Sequence, residues 1–336
     1  GGERITVPEE TDGTFEISSV GIEENATKTP VNYVLPPGFN REIDPSNTQL
    51  TQLDEQSMVL KVNDLADGDA RAAFKSLNMD MRRYKRLRME IHAEAVPGQT
   101  LSDNDLTAFI RIGSDYKNNF YEYEIPLKLT PPGSYSDDRE SDRAIVWPSA
   151  NSMNIVLEDL VNVKQERDKA LYSHNSSMSV SDLYTVVSGD ARMSVCGNPN
   201  LSNIKVVMIG IRNPIKTRNP SADDGSSKTA EVWVNELRLT DFNEDGGWAA
   251  NAQLQAKLAD FGTISASGQM SSAGWGSIDS KINERSTDDV RKYDVSGNFE
   301  LGKFFPEKAG VRIPVYLGYS QNTVTPHYDP LDPDVT

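Results

Sequence analysis

From Trp248 onward the chain alternates apolar and polar positions in four successive runs. Trp248, Ala250, Ala252, Leu254, Ala256 and Leu258 interleave with Ala249, Asn251, Gln253, Gln255 and Lys257. Gly262, Ile264, Ala266, Gly268 and Met270 then interleave with Thr263, Ser265, Ser267 and Gln269. A third run sets Tyr293, Val295, Gly297, Phe299 and Leu301 against Asp294, Ser296, Asn298 and Glu300, and a fourth carries Val311, Ile313, Val315, Leu317 and Tyr319. Successive side chains on a strand point to opposite faces, so each run predicts a strand with one apolar face. Each run approximates the nine to eleven residues that a tilted strand needs to cross a bilayer. Trp248, Tyr293, Phe305 and Tyr319 stand near run ends, where interfacial aromatics belong. The links are short (259–261), long and polar (271–292), then short again (306–310), the rhythm of an outer-membrane meander. An ordinary antiparallel sheet with one covered face would alternate in the same way, and Pro314 disfavours a central strand for the fourth run.

Upstream, between 58 and 240, alternation also dominates. Leu87, Met89, Ile91 and Ala93 fall on one face, with Arg88, Glu90, His92 and Glu94 on the other, which predicts a half-buried strand. Leu106, Ala108, Ile110 and Ile112 lead through a Gly113–Asn119 turn into Tyr121, Tyr123, Ile125, Leu127 and Leu129, a hairpin. Further strands are expected at Ile145–Trp147, Ile155–Leu157, Ile204–Ile211 and Ala230–Leu239. A bulge near Asn235-Glu236 would let Val232, Val234, Leu237 and Leu239 all point inward. Short helices are expected at Leu157–Lys169 and Asp64–Leu77. Antiparallel strands with long polar connections predict an all-β chain: a jelly-roll-like β-sandwich over 58–240, then four strands of an outer-membrane β-barrel over 248–321, with 322–336 beginning a loop. Residues 1–57 carry eleven acidic against three basic residues and several prolines, which reads as an extended acidic segment lying along another surface. Within it, Asp12-Gly13 could join Thr6-Val7 to Thr14–Ile17 as a strand pair.

Composition narrows the chemistry. Fifty acidic against thirty-four basic residues give a net charge of −16, which disfavours nucleic acid as a partner. No run approaches the roughly 18 apolar residues of a membrane helix. The single Cys196 cannot form an internal disulfide, and His92, His174 and His327 lie far apart with no zinc spacing. Asp64, Asp67 and Asp69 surround Gly68 and hint at calcium, but their spacing lacks the full oxygen-ligand pattern and its distal Glu, so a solvated loop is the better reading. Arg82, Arg83, Lys85, Arg86 and Arg88 form a basic cluster expected to pair with carboxylates. No nucleophile elbow, phosphate loop, dinucleotide fingerprint or paired catalytic carboxylates occur, so neither an enzyme nor a cofactor is expected. A start at Gly1-Gly2 and an end at Thr336 with no terminating element suggest a portion of something longer.

Specific strings go further than periodicity. Asp54–Ser57, Asp80–Leu87, Ile112–Asp115 with Phe120–Glu124, Gly197–Ser202, Ile209–Pro214, Val232–Leu239 and Gly247–Ala250 together resemble the SprA/Sov family, the giant outer-membrane translocons of type IX secretion and gliding motility in Bacteroidota. The resemblance runs from about Tyr33 to the end, with Asp54 standing where an asparagine would be expected. It implies a conduit at the bacterial outer membrane and cell surface for folded cargo with C-terminal sorting domains, with no catalytic centre. Its implied partners are a PorV-like shuttle barrel, plug subunits and outer-membrane lipid. If the short links are periplasmic turns, the strand from Trp248 runs inward from outside, and the sandwich is an extracellular cap. The competing expectation is a cell-surface carbohydrate-binding jelly-roll module, because Ala230–Leu239 also resembles the closing strand of sugar-binding sandwiches. That role needs an aromatic platform on a solvated face, for which Phe109 and Phe120 are the candidates.

Overall fold

The computed structural model describes residues 2–3, 13–41, 55–173, 177–216, 224–243, 246–279 and 285–334. The chain divides into two compact units, Gly1–Asn243 and Glu244–Thr336.

The first unit is a sandwich of two antiparallel sheets. Its strands are β1 (Gly2–Glu3), β2 (Thr14–Gly21), β3 (Gln56–Leu65), β4 (Ala70–Met79), β5 (Tyr84–Ala95), β6 (Thr107–Gly113), β7 (Phe120–Pro126), β8 (Met153–Val156), β9 (Leu183–Ser188), β10 (Ala191–Cys196), β11 (Ile204–Arg212) and β12 (Lys228–Phe242). One sheet has the order β1-β9-β10-β7-β6-β11-β4, the other β2-β3-β12-β5-β8. The late strands nest inside the early ones: β12 lies between β3 and β5, and β11 between β4 and β6. Leu60, Ile91, Ala93 and Val232 line one buried face of the five-stranded sheet, and Ala108, Ile110, Ile112, Tyr121 and Ile211 line one buried face of the other.

Among the described residues this unit also has three α-helices: α1 (Ile22–Asn25), α2 (Glu140–Val146) and α3 (Leu157–Leu171). The expected helix at 157–169 is α3, the Leu87–Ala93 strand is β5, and the Gly113–Asn119 hairpin is β6–β7. The expected helix over Asp64–Leu77 is instead the end of β3, a turn at Gly68 (φ 79°) and β4. Eight residues of β4 pair with β11, and this ladder outweighs the helix propensity of the alanines at 70, 72 and 73. The expected strand at Ile145–Trp147 is the end of α2, where the Trp147 N–H donates to Arg143 O at 2.8 Å. The bulge near Asn235 is present: the β12–β5 register shifts between Asn235 and Arg238, with Glu236 at φ 30°. It does not bring all four apolar residues inward, because Leu237 is left exposed.

Two further differences concern the acidic segment and the second face of β5. Thr14–Gly21 pairs along its whole length with β3, so this part of the first 57 residues is an edge strand of the sandwich. Thr6-Val7 lies outside the described residues. His92 and Glu94, expected on a solvated face, are buried, because Val31, Tyr33, Val34 and Leu35 fold over them together with Trp147. The smaller sheet is therefore covered on both faces.

The second unit is one open antiparallel sheet in the order β13 (Ala249–Leu258), β14 (Gly262–Ser271), β15 (Asp288–Glu300) and β16 (Pro314–Pro326). The four alternating runs thus become four consecutive meander strands. β16 starts at Pro314, a position where proline forfeits no interior ladder bond, and extends to Pro326, beyond the expected strand end at 321.

Candidate functional site

Register decides what the second unit can do. Ala252, Gly268, Tyr293 and Gln321 form one cross-strand row; Leu254, Ala266, Val295 and Tyr319 the next; then Ala256, Ile264, Gly297 and Leu317; then Leu258, Gly262, Phe299 and Val315. These rows all project to one face. The face is uncovered within its unit: Leu254 is 65% exposed, Leu317 62%, Tyr319 63% and Val295 46%. The intervening rows, such as Gln253, Ser267, Asp294 and Ser320, project to the other face. A hollow of about 630 Å³ is lined by Asn251, Gln253, Ser267, Gln269, Lys292, Asp294, Ser320 and Asn322, with Ala252, Gly268, Tyr293 and Gln321 between them. The middle row points its side chains away, so its backbone is the floor and the two polar rows are the walls. The hollow therefore belongs to the polar face. At the end with the short links, Glu300 N–H donates to Phe261 O at 2.7 Å, Lys303 pairs with Asp260 at 3.0 Å, and Phe261 packs against Phe299 and Phe304.

In the first unit, the outer face of the seven-stranded sheet carries a charged ladder instead of open aromatics. Glu122 accepts from Arg111 Nε at 2.5 Å and from Arg212 Nη1 at 3.1 Å, while Arg212 also pairs with Glu124, which accepts from Thr107 Oγ1 at 2.6 Å. Burial alone would raise the Glu122 carboxyl, but Arg212 and Arg111 outweigh it and hold it at about 2. The same guanidiniums lie over the rings named as a platform: Arg111 is 4.1 Å from Phe120 and Arg212 is 4.5 Å from Phe109. Both rings are buried. The exposed aromatic on this face is Phe74, which stacks on Tyr116 at 5.1 Å.

The opposite side of the sandwich holds an aromatic cage. His92 stacks on Trp233 at 3.8 Å, and Tyr33, Trp147 and Trp233 meet at 5.7–6.1 Å. Lys28 enters over Trp233 at 4.9 Å and pairs with Glu94 at 2.5 Å and Glu231 at 2.9 Å. The Tyr33 hydroxyl and Ser57 Oγ lie 2.9 Å apart, and Asn235 Nδ2 donates to both. Burial pushes the Tyr33 phenol up to about 12. The strings that carry the family resemblance thus meet in space: Ser57, Asn235 and Trp233 here, Glu122, Glu124 and Arg212 in the ladder. At α3, buried Arg167 donates to Gly197 O at 2.6 Å and Lys164 to Pro199 O at 3.1 Å, tying down the Gly197–Ser202 loop. Gly197 (φ 66°) has no room for a side chain, since a Cβ would sit 1.9 Å from Asn118 O.

The calcium candidates do not converge. Asp69 is buried and pairs with Arg71 at 2.5 Å, Asp67 accepts from the Lys216 N–H at 3.1 Å, and Asp64 turns the chain at φ 52°. Among the described residues no group of three or more acidic, His or Cys side chains could hold a metal. Cys196 is buried, which raises its thiol, and its Sγ contacts Ser181 O. In the basic cluster Arg82 pairs with Asp80 and Arg86 with Asp241. His174 lies outside the described residues. Sequence reasoning missed the Arg111–Glu122–Arg212–Glu124 ladder, whose members share a face only after β6, β7 and β11 pair.

The chain is all-β and carries, after a sandwich covered by its own residues, an open sheet whose apolar face is uncovered within its unit. No helix among the described residues is long and apolar enough to cross a membrane, which says nothing about strands. The chain belongs to the SprA_N family, described as motility related/secretion protein, which matches residues 3–336. No curated protein matches it.

Proposed function

We propose that β13–β16 are part of the wall of an outer-membrane β-barrel that conducts proteins in type IX secretion and gliding motility. The observation that carries this reading is the register that gathers the apolar rows on one exposed face and puts the hollow on the polar one. A barrel wall has that division, apolar toward lipid and polar toward the lumen. Four strands are too few to close, since the smallest barrels have about eight, so the wall needs further strands. The role is conduction without catalysis, for cargo with C-terminal sorting domains, beside a PorV-like shuttle and plug subunits.

The sandwich is an extracellular cap in this proposal. β13 begins at the end of the sheet that bears the long 271–288 connection, away from the short turns, so a periplasmic location of those turns puts the preceding chain outside. Labelling a cysteine at Ser114 with a membrane-impermeant reagent in intact cells tests this. Labelling is expected without disruption, and labelling only after outer-membrane rupture would overturn the cap. The carbohydrate-binding alternative is less well supported, because Phe109 and Phe120 lie beneath Arg212 and Arg111 and offer no open platform.

A further inference from the structure

The apolar face of β13–β16 has a slanted border. Ala250, Met270, Arg291 and Thr323 occupy a single cross-strand row on that face, yet the first two are apolar and the last two are not. One row further in, Ala252, Gly268 and Tyr293 are apolar or aromatic while Gln321 is polar. In the row after that, Leu254, Ala266, Val295 and Tyr319 are all apolar or aromatic. The outermost residue of this kind is thus Trp248 just before β13, where its carbonyl accepts from Ser272 N–H, Met270 on β14, Tyr293 on β15 and Tyr319 on β16. At each step to the next strand the border moves inward by one row, two residues along the chain.

We infer that these four residues mark one headgroup level, with Trp248, Tyr293 and Tyr319 as its interfacial aromatics, and that the strands cross the bilayer strongly tilted. This rests on the outer-membrane reading above. Two residues are about 6.8 Å of strand against about 4.8 Å between strands, which gives a slant of roughly 55°. That is somewhat steeper than the 35–45° usual for such barrels. A tilted sheet in a slab of hydrocarbon staggers its apolar edge by a constant step, because every strand must enter at the same depth.

The consequence is specific: residues that are hydrogen-bonded neighbours across the sheet lie at different depths. Ala250 and Met270 face hydrocarbon or its edge, while Arg291 and Thr323, in the same row, stand in water.

The test uses the full-length protein in its outer membrane, with a nitroxide side chain placed singly at 250, 270, 291 and 323. Collision rates with oxygen and with a water-soluble nickel chelate are then compared. The ratio of oxygen to chelate collisions should fall along the row, highest at 250, intermediate at 270 and lowest at 291 and 323. Equal lipid exposure at all four would overturn the slant and leave the barrel wall standing. Free chelate access at all four would overturn the membrane reading as well. A second readout avoids the label: A250R should cut the amount of assembled, heat-modifiable protein several-fold, and T323R should leave it at the wild-type level. Equal losses from the two substitutions would overturn the slant.

Discussion

The two units solve opposite problems with the same secondary structure. In the sandwich, the five-stranded sheet is covered on both faces, by the other sheet and by the Val31–Leu35 segment with Trp147. In β13–β16 no apolar row is covered within the unit, and Leu254, Leu317 and Tyr319 are more than half exposed. Alternation of apolar and polar residues therefore does not by itself say where a strand lives. What distinguishes the two is the fate of the charged and polar side chains. The sandwich draws Glu94, Glu122 and Arg167 inward and gives each a partner, Lys28, Arg111 and the Gly197 carbonyl. The second sheet lines an open hollow with its polar rows and leaves its apolar rows uncovered within the unit; in the proposed barrel wall the first would meet water and the second lipid.

Removing the cage should break the contrast most severely. Trp233→Ala takes away the ring that stacks on His92, packs against Tyr33 and Trp147 and supports Lys28, and should cost about 3–5 kcal/mol, read as a loss of sandwich stability in denaturant unfolding. Next comes the apolar face. Leu254→Arg puts a charge in mid-band and should cost about 2–4 kcal/mol of assembled barrel, while Gln255→Arg, one residue on, should stay within about 0.5 kcal/mol. Assembly yield in outer membranes reads both, and similar losses would erase the distinction between the faces. Glu122→Gln should cost about 2 kcal/mol, below the ~3–5 for breaking a wholly buried pair because Arg111 and Arg212 keep some water contact.

The same carboxylate sharpens the comparison through pH. Its folded value of about 2 lies below the ordinary 4.5, so its contribution is fully present above pH 4.5 and is lost as pH falls toward 2. Acid titration of sandwich unfolding should therefore be flatter in Glu122→Gln over that window. The smallest effect is expected at the turn end of the sheet, where Asp260→Asn removes an exposed ion pair to Lys303 and should leave assembly yield unchanged.

The second unit was largely legible in the sequence, because pairing consecutive strands needs no long-range information: periodicity gave the strands and link lengths gave their order. The β6–β7 hairpin and α3 were legible for the same local reason. Residues 64–77 were not, since alanines that favour a helix are overruled by β11, more than a hundred residues later in the chain. Nor was the role of the acidic segment. Leu35-Pro36-Pro37-Gly38 marks a loop, and the residues at 31–35 form one, but a loop that is buried over Trp147 and Trp233 carries no local signature. Phe109 and Phe120 were rightly placed on the outer face of their strands. Arg111 was visible beside them, but Arg212 arrives from β11, and only the paired sheet reveals that both rings are capped.

The central claim is that one face of β13–β16 meets lipid and the other meets water, and β15 tests it most directly. Single cysteines placed in turn from Tyr293 to Phe299 in the full-length protein, reacted in outer membranes with a water-soluble thiol reagent, should alternate. Positions 294, 296 and 298 should label, and 295, 297 and 299 should resist, with 293 intermediate at the headgroup level. Labelling without a two-residue period, or fastest at 295 and 297, would contradict the account.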